Sequence, residues 1–248
     1  MLRALIRIIS LPFYLVPAKL RTGLIRGLVV VDSRIGNPAD SLRRAFSIAD
    51  TVNLVIAERA TAYGAGEHPK HRLMAYHDFF VENIEPGSRV IDVGCGYGAV
   101  ARSIANRVTD VEVLGIDLDA GRMSQAKAAD NPPNLTFVAG DVLTDLPTGE
   151  WDAVVMSNVL EHIDGRVAFL KDLAKTVKPA RVLIRVPLFE RDWHVPMRRE
   201  LGVDYFSDKT HFIEHTLAEF ADELAEAGYE VVDQQIKWGE IWSVTRPR

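Results

Sequence analysis

The chain has 248 residues and a formal net charge of −5; 48% of its residues are hydrophobic and 25% are charged. This balance is typical of one large globular α/β domain with additions, and the acidic excess argues against a broad nucleic-acid-binding surface. A single cysteine excludes an internal disulfide framework and a cysteine-rich zinc site.

The first 31 residues contain no acidic residue, although basic residues recur among apolar ones. Pro12 and Pro17 interrupt the apolar run, which excludes an uninterrupted membrane-spanning helix. Two interpretations stay open. Residues 1–31 form either a basic amphipathic segment on an anionic membrane surface or a helix packed on the domain or a partner subunit. The predicted location is the cytoplasm, with peripheral contact at the inner membrane face under the first interpretation.

Residues 1–84 are predicted to form a helical extension and lid, and residues 85–248 the main domain. After a turn at residues 36–38, Asp40 or Ser41 is expected to cap a helix that runs towards Tyr63. The apolar side of that helix comprises Leu42, Ala45, Phe46, Ala49, Val52 and Ile56. Residues 64–66 break the helix.

Residues 89–98, RVIDVGCGYG, combine a short buried strand with three glycines placed two residues apart. A helix is predicted to follow. A strand, a glycine-rich turn and a helix N-terminus together offer backbone N–H groups to a ligand, so Gly94 and Gly96 are candidate cofactor-binding residues. Cys95, inside this motif, is interpreted as structural.

Gly94, Gly96 and Ala99 also fit the G-x-G-x-x-G/A pattern of dinucleotide-binding proteins, which makes a dinucleotide oxidoreductase one alternative. Asp92 argues against that alternative, because a pyrophosphate beside this carboxylate would be repelled. S-adenosylmethionine (SAM) carries an ammonium and a sulfonium but no phosphate, so it fits the site better.

The motif resembles the first motif of the class I SAM-dependent methyltransferases, and the resemblance covers roughly residues 85–248. Residues 115–119, GIDLD, and residues 135–142, LTFVAGDV, resemble the pieces that follow in this family. The resemblance implies a seven-stranded, mostly parallel, Rossmann-like α/β sheet. Residues 229–245 independently predict the antiparallel hairpin that closes such a sheet.

The resemblance also implies roles for individual residues in holding SAM. Asp117 would accept both ribose hydroxyls, with Leu118 next to it. Asp141 would accept from the adenine amino group, with Val142 nearby. The segment before strand one commonly covers the cofactor in this family. His68, His71 and Arg72 are therefore lid candidates, and Arg72 could pair with the methionine carboxylate.

Residues 151–158 are predicted as strand four, and the residues at its carboxyl end should face the transferred methyl group. Ser157 and Asn158 are therefore expected near the cofactor. Glu161 and His162 share one face with Asn158 if the turn is helical. This pattern resembles the E-x-x-E-H of ubiquinone-pathway and small-RNA O-methyltransferases, with Asn158 in place of the first glutamate.

Two roles stay open for these side chains. Glu161 and His162 are donors of the type that bind a divalent ion such as Mg²⁺, with His211 as a third ligand. Alternatively, His162 is a general base or orients the acceptor without metal. His68, His71 and His211 are alternates for the base.

Residues 188–210 lack clear periodicity and are rich in basic and aromatic side chains. Insertions at this point often form the acceptor pocket in the family. The expected lining is Arg185, Arg191, Trp193, His194, Arg198, Arg199 and Tyr205. Basic and aromatic side chains together suit a sugar, a phosphate or an anionic glycan.

The predicted function is a SAM-dependent O-methyltransferase that acts on a sugar or glycan hydroxyl or a related small molecule. One alternative is methylation of a quinone-type phenol or a lipid head group. RNA methylation is disfavoured by the acidic balance. An alternative from another class is a non-catalytic SAM-binding subunit.

Overall fold

The computed structural model describes residues 13–248. Two compact units are present: one comprises residues up to His68 together with Arg198–Val203, and the other comprises Pro69–Met197 and Asp204–Arg248. The predicted boundary at residues 84 and 85 stays a prediction. In the described range of the chain, none of the helices is both long and apolar enough to cross a membrane.

The helical unit contains α1 (Ala18–Asp32) and α2 (Pro38–Tyr63). Asn37 caps α2, since its side-chain oxygen accepts from the backbone N–H of Asp40 at 2.9 Å. The cap therefore lies before the expected Asp40 or Ser41, and Pro38 occupies the first turn, where a missing N–H costs nothing. Arg44 ties the end of α1 to α2 through Asp32, with Nε and Oδ2 2.9 Å apart.

The predicted apolar side of α2 is mostly not buried. Ser41 and Phe46 are the buried residues of this helix, and residues 51–59 are all exposed. The periodicity correctly indicated a helix, but it could not show whether anything covers the second half.

The second unit contains one seven-stranded sheet in the order β3-β2-β1-β4-β5-β7-β6. Strands β1 to β5 are parallel, and β7 runs antiparallel to both β5 and β6. The strands are β1 (Arg89–Val93), β2 (Glu112–Asp117), β3 (Leu135–Ala139), β4 (Trp151–Ser157), β5 (Pro179–Pro187), β6 (Tyr229–Lys237) and β7 (Glu240–Pro247). The expected α/β sheet with a closing hairpin is confirmed.

Helices cover both faces of this sheet. The helices after residue 69 are α3 (Lys70–Met74), α4 (Tyr76–Glu82), α5 (Ala99–Arg107), α6 (Ala120–Ala128), α7 (Arg166–Thr176), α8 (His194–Glu200) and α9 (Leu217–Glu226), with 3₁₀ turns at Leu160–His162 and Phe189–Arg191. The last three residues of α8 belong to the helical unit. Successive strand residues point to opposite faces, so Val90 packs in one core cluster and Ile91 in the other. Because both faces are covered, the central strands are mostly apolar, with Asp92 in β1 and Arg185 in β5 as buried exceptions.

The strand order reverses between β1 and β4. In open parallel sheets ligands bind beyond the carboxyl ends of the strands at such a switch point. The residues that directly follow β1, β2, β3 and β4 therefore meet at one edge, which we call the carboxyl edge.

Candidate active site

The loop between β1 and α5 forms the centre of the carboxyl edge. Gly94 and Gly96 both have positive φ angles, 63° and 57°, which side chains rarely adopt. A Cβ atom at Gly94 would lie 2.7 Å from Cγ2 of Val159, whereas one at Gly96 would meet open space among the residues described. The loop therefore packs tightly against the turn after β4 and leaves its tip open to a ligand.

Asp92 is buried at the end of β1. Its Oδ2 atom has no hydrogen-bond partner in residues 13–248, and burial raises the pKa of this carboxyl to about 7. A buried acceptor without a partner is costly unless a ligand supplies the donor. The ammonium of SAM is a donor of the required charge.

Asp117 is held in place by two backbone donors. Its Oδ2 accepts from Gly96 N and its Oδ1 from Asp119 N, each at 2.9 Å. A carboxylate has lone pairs left after two such bonds. Leu118, next in the chain, is 72% exposed and offers an apolar surface beside this acid.

Asp141 follows β3 at the same edge. Its Oδ1 accepts from Leu143 N at 2.9 Å, and Val142 packs partly buried against the core. The structure thus brings Asp92, Asp117 and Asp141 to the ends of three adjacent strands.

The turn after β4 carries a second group of polar atoms without partners. Asn158 has a positive φ of 57°, and its Oδ1 is buried without a hydrogen-bond partner in the described chain. Ser157, just before it, accepts from Arg185 Nη1 at 2.9 Å. Left-handed backbone at a non-glycine residue clusters at functional sites, and asparagine tolerates it better than most residues.

Glu161, His162 and His211 come together directly after that turn, and one donor atom from each lies within 4.8 Å of the others. Glu161 is fully buried, and neither of its carboxyl oxygens has a hydrogen-bond partner among residues 13–248. The Nε2 atom of His211 lies 3.9 Å from Glu161 Oε1. The backbone N–H of Phe212 donates to the carbonyl of Glu161 at 2.9 Å, which fixes the two segments together.

Hydrogen bonds assign the protons of His162. The Thr210 hydroxyl lies 2.7 Å from Asp208 Oδ1 and 2.8 Å from His162 Nδ1. Hydrogen bonds from Thr210 lower the pKa of Asp208, so this carboxylate is ionised and accepts the single hydroxyl proton. Thr210 must then accept from Nδ1–H of neutral His162, which leaves the Nε2 lone pair free to act.

Glu214 orients His211 through the same ring atom, Nδ1, which lies 3.1 Å from Glu214 Oε1. Burial alone would raise the pKa of Glu214. Hydrogen bonds from His211 and Ser207 and the charge of Arg191 outweigh burial and hold the pKa below its ordinary value. The ionised Glu214 therefore accepts from the Nδ1–H of His211, and the Nε2 atom of this ring faces Glu161.

In the absence of a bound cation, the surroundings of Glu161 and His162 favour the neutral forms of these two side chains. Burial raises the pKa of Glu161 to about 8, and the charge of Glu214 adds to the shift. Burial lowers the pKa of His162, and the neighbouring His211 lowers it further. A divalent ion would find one carboxylate and two imidazoles here, with a supporting partner on each histidine, as in many metal sites.

The proposed lid residues are not assembled around one point. His68 belongs to the helical unit, whereas His71 and Arg72 belong to the other. The Nδ1 atom of His71 lies 2.6 Å from the hydroxyl of Tyr76, and Arg72 is exposed. His162 is the better placed candidate base.

The residues expected to line an acceptor pocket are mostly engaged elsewhere. Arg185 is buried in a two-point ion pair with Glu240, 2.6 and 2.7 Å long. Arg191 pairs with Glu214. Arg198 lies in the helical unit and pairs with Asp50 there at 2.6 Å.

The remaining members of that set lie on the surface or in an aromatic stack. His194 is exposed and bonds to Asp192, with Nδ1 and Oδ1 2.9 Å apart. Tyr205 stacks on Phe206. Ion pairs with Glu240, Glu214 and Asp50 therefore neutralise Arg185, Arg191 and Arg198, which weakens the argument for an anionic sugar.

The supporting residues Asp208, Thr210 and Glu214 were missed as functional. A signal was present, because these residues surround His211 within one short stretch of polar residues, DKTHFIEH at 208–215. His215, in the same stretch, bonds to Glu223 at 2.9 Å and lies apart from the cluster.

The switch-point edge, the open glycine loop and the three acids define a SAM-binding protein with the methyltransferase type of Rossmann-like sheet. Residues 65–234 match the family model described as a methyltransferase domain. The chain belongs to the class I SAM-dependent methyltransferases.

Similar proteins act on chemically different molecules. The chain is 28% identical over 175 residues to the 2-methyl-6-phytyl-1,4-hydroquinone methyltransferase of Synechocystis sp., covering 66% of this chain and 52% of that protein. It is 33% identical over 132 residues to the ribosomal protein L11 methyltransferase of Ralstonia pickettii, covering 52% and 41%. The chain thus spans about half the length of the curated relatives it matches.

The fold is shared with the magnesium protoporphyrin IX methyltransferase of Synechocystis PCC 6803, solved with bound SAH. The TM-score is 0.56 and the sequence identity 18%, over 71% of this chain and 83% of that one. At this identity the likeness concerns the fold alone.

Proposed function

We propose that this protein transfers the methyl group of SAM to a hydroxyl oxygen of a small molecule. The observation that carries the proposal is the cluster of Glu161, His162 and His211 beside the glycine loop. Methyl transfer to a hydroxyl needs an acceptor aligned with the methyl group and a group that takes its proton. A neutral histidine with a free Nε2 lone pair is suited to the second task.

The carboxyl edge would hold SAM through the three acids and their neighbours. Asp92 would face the ammonium, Asp117 the ribose hydroxyls, and Asp141 the adenine amino group. Leu118 and Val142 would contact the two faces of the adenine. Because Asp117 is already fixed by two backbone N–H groups, it would be preorganised for binding.

Further residues complete the proposed cofactor site. Ser157 and Asn158 would lie nearest the methionine part, since they end the strand beside the glycine loop. The unpartnered Oδ1 of Asn158 would accept a hydrogen bond from bound cofactor or acceptor. Arg72 is proposed to pair with the methionine carboxylate.

His162 is the proposed proton acceptor. Its Nδ1–H is held by the Asp208–Thr210 pair, which leaves Nε2 as the basic atom. The lowered pKa of His162 keeps the ring neutral at pH 7, as a base must be before reaction.

The same cluster fits a divalent cation, which Glu161, His162 and His211 would hold. Such an ion would act as a Lewis acid that lowers the pKa of a bound hydroxyl. The two roles of His162 are exclusive at Nε2, so in the metal-bound form another group would take the proton. Two imidazole nitrogens suit Mn²⁺, Co²⁺ or Zn²⁺ better than Mg²⁺, which prefers oxygen ligands. We therefore propose a transition-metal ion in place of the expected Mg²⁺.

A dihydroxy acceptor fits this cluster, since two adjacent oxygens can contact the ion or the base together. A sugar or glycan diol remains one candidate class. A hydroquinone or catechol-type phenol is the second, and the hydroquinone methyltransferase among the relatives favours it. A membrane-linked acceptor of either class would be consistent with peripheral membrane contact by residues 1–31. We do not propose a nucleic-acid acceptor.

The test is methyl transfer from methyl-labelled SAM to a panel of monosaccharides, glycans, catechols and hydroquinones. Activity would be measured after chelation and after adding back Mn²⁺, Co²⁺, Zn²⁺ or Mg²⁺. An O-methyl product that needs a transition metal supports the metal-bound form, in which His162 is a ligand and not the base. Undiminished activity in chelator would exclude the proposed metal ion and would leave His162 as the proposed base. Tight SAM binding without transfer to any acceptor class would favour the non-catalytic subunit.

A further inference from the structure

The helical unit carries an apolar surface whose described side chains are exposed. No residue of α1, a helix described over its whole length, is buried. Leu20, Leu24, Leu28 and Val31 follow one another at spacings of four, four and three residues, so they form one stripe along the helix. We call this stripe the α1 stripe. Its members are between 57% and 70% exposed.

The charges around the α1 stripe are of one sign. Lys19, Arg21 and Arg26 lie on the same helix. Its single acid, Asp32, is at the last position and is paired with Arg44, with Nε and Oδ2 2.9 Å apart. Residues 1–31 contain no acidic residue at all. An aliphatic stripe on a helix with three cations and one ion-paired acid is the pattern of a helix that lies in a membrane interface.

The same unit exposes a second apolar run on α2. Residues 51–59 are all exposed, and Val52, Val55 and Ile56 are neighbours on one side of the helix. Exposed apolar area of this extent on a soluble surface marks a docking site.

We infer that α1 docks the protein onto an anionic lipid bilayer surface. A second copy of this chain is a poorer occupant, because a two-fold interface would bring the three cations of α1 against themselves. A protein partner is also disfavoured. The stripe is made of leucine and valine, whereas energetic anchors at protein interfaces are mostly tryptophan, tyrosine and arginine. The inference does not rest on the proposed methyl transfer.

The test is co-sedimentation of the full-length protein with vesicles. One set contains phosphatidylcholine alone, and the other contains about one third phosphatidylglycerol, which carries the negative charge. We expect at least about tenfold more protein on the anionic vesicles, with the excess lost at high salt. Binding equal to background on both sets would overturn the inference.

Two variants examine the two components of the surface. Leu24→Glu combined with Leu28→Glu should abolish binding, because it places charges in the apolar stripe. Lys19→Gln combined with Arg26→Gln should remove the preference for anionic vesicles without introducing any buried group. Both pairs of residues are exposed, so folding should persist, as circular dichroism can verify.

The matched control is Val232→Glu, an exposed aliphatic residue of β6 that should bind like the wild type. Unchanged sedimentation of both α1 variants would overturn the inference. So would a stable dimer that the Leu24→Glu and Leu28→Glu pair converts to monomer, because the stripe would then be covered by a second copy.

Discussion

The carboxyl edge of the sheet has two halves that satisfy their polar groups in different ways. In the half formed by β1, β2 and β3, backbone N–H groups of short loops fix the acids, as Gly96 and Asp119 fix Asp117. In the half that follows β4, side chains far apart in sequence fix the functional groups, as Thr210 fixes His162. The first arrangement suits a cofactor of constant structure. The second depends on long-range packing and can vary with the acceptor.

The two halves also differ in which buried polar atoms lack a hydrogen-bond partner among the described residues. The first half leaves one buried carboxyl oxygen of Asp92 without a partner in residues 13–248, beside an open loop. The half after β4 leaves Asn158 Oδ1 and both oxygens of Glu161 unpartnered across that same stretch. Since buried polar groups are nearly always hydrogen-bonded, these atoms mark where ligands complete the structure.

The largest expected effect lies in the half after β4. His162→Ala should lower the rate of methyl transfer by about 10²- to 10⁴-fold, the usual contribution of a general base. SAM affinity should stay within about twofold, because His162 belongs to the other half of the edge. Single-turnover kinetics and calorimetric SAM titration measure the two quantities. His194→Ala, at an exposed position, is the matched control. A parallel loss of SAM affinity and rate would contradict the separation of the two halves.

The corresponding change in the first half is Asp117→Asn. An amide cannot accept from both Gly96 N and Asp119 N, so its NH₂ would face one donor without a bond. A ribose hydroxyl would also lose its hydrogen bond to a charged acceptor, which costs about 1.5–3 kcal/mol and predicts about 10- to 100-fold weaker SAM binding. Equilibrium titration with SAM measures this loss. Asp130→Asn, at an exposed residue, should bind normally. An unchanged SAM affinity in Asp117→Asn would contradict the proposal that Asp117 binds the ribose hydroxyls.

The second prediction for the half after β4 concerns a supporting residue. Glu214→Gln removes the carboxylate that orients His211, and such partners typically contribute about 10- to 100-fold to metal affinity. A Mn²⁺ titration followed by electron paramagnetic resonance measures the change. Glu219→Gln, which alters the capping box of α9 instead, serves as the control. Equal metal affinity in wild type and Glu214→Gln would mean that this residue has only a structural role.

The smallest expected effect is the pH dependence of SAM binding. Because burial raises the pKa of Asp92 from 3.8 to about 7, only about a tenth of the ligand-free protein has this carboxylate ionised at pH 6. At pH 7.5 the ionised share is about three quarters, so SAM affinity should rise up to about eightfold between these values. Calorimetric titration across the range measures it.

The stability of the ligand-free protein should change in the opposite direction. The folded-state pKa of Asp92 lies above its ordinary value. The contribution of this carboxyl to the free energy of unfolding is therefore fully present below about pH 4 and is lost as the pH rises through 7. Asp92→Asn should therefore flatten both profiles, in affinity and in melting temperature. Parallel pH profiles for wild type and Asp92→Asn would contradict the role assigned to this carboxyl.

The two halves also differ in how far the sequence predicts them. The glycine loop, Asp117 and Asp141 were predictable because each directly follows a short apolar strand at a regular spacing. Glu161 and His211 are 50 residues apart and meet only because the segment after β5 folds back onto the turn after β4. The residue types suggested this meeting, and Thr210 and Glu214 flank His211 in the sequence, but only the fold shows that each of them orients one histidine.

The same limitation applies to the basic residues after β4 and to the exposed side of α2. The basic residues Arg185 and Arg191 resembled ligand contacts in the sequence, but sequence cannot show that Glu240 and Glu214 neutralise them. The periodicity of α2 identified the residues that share one side of the helix, but periodicity does not report what covers that side. Charge partners and coverage both arise from contacts between distant segments.

The most direct test of the central claim is a titration of the metal-free protein with Co²⁺, followed by its visible absorption. We expect one tightly bound ion per chain. Its ligand-field bands should disappear in Glu161→Gln and in His211→Ala but persist in His215→Ala. A spectrum that stays that of the ion in water, on folded protein that binds SAM, would contradict the claim that these three side chains form a metal site.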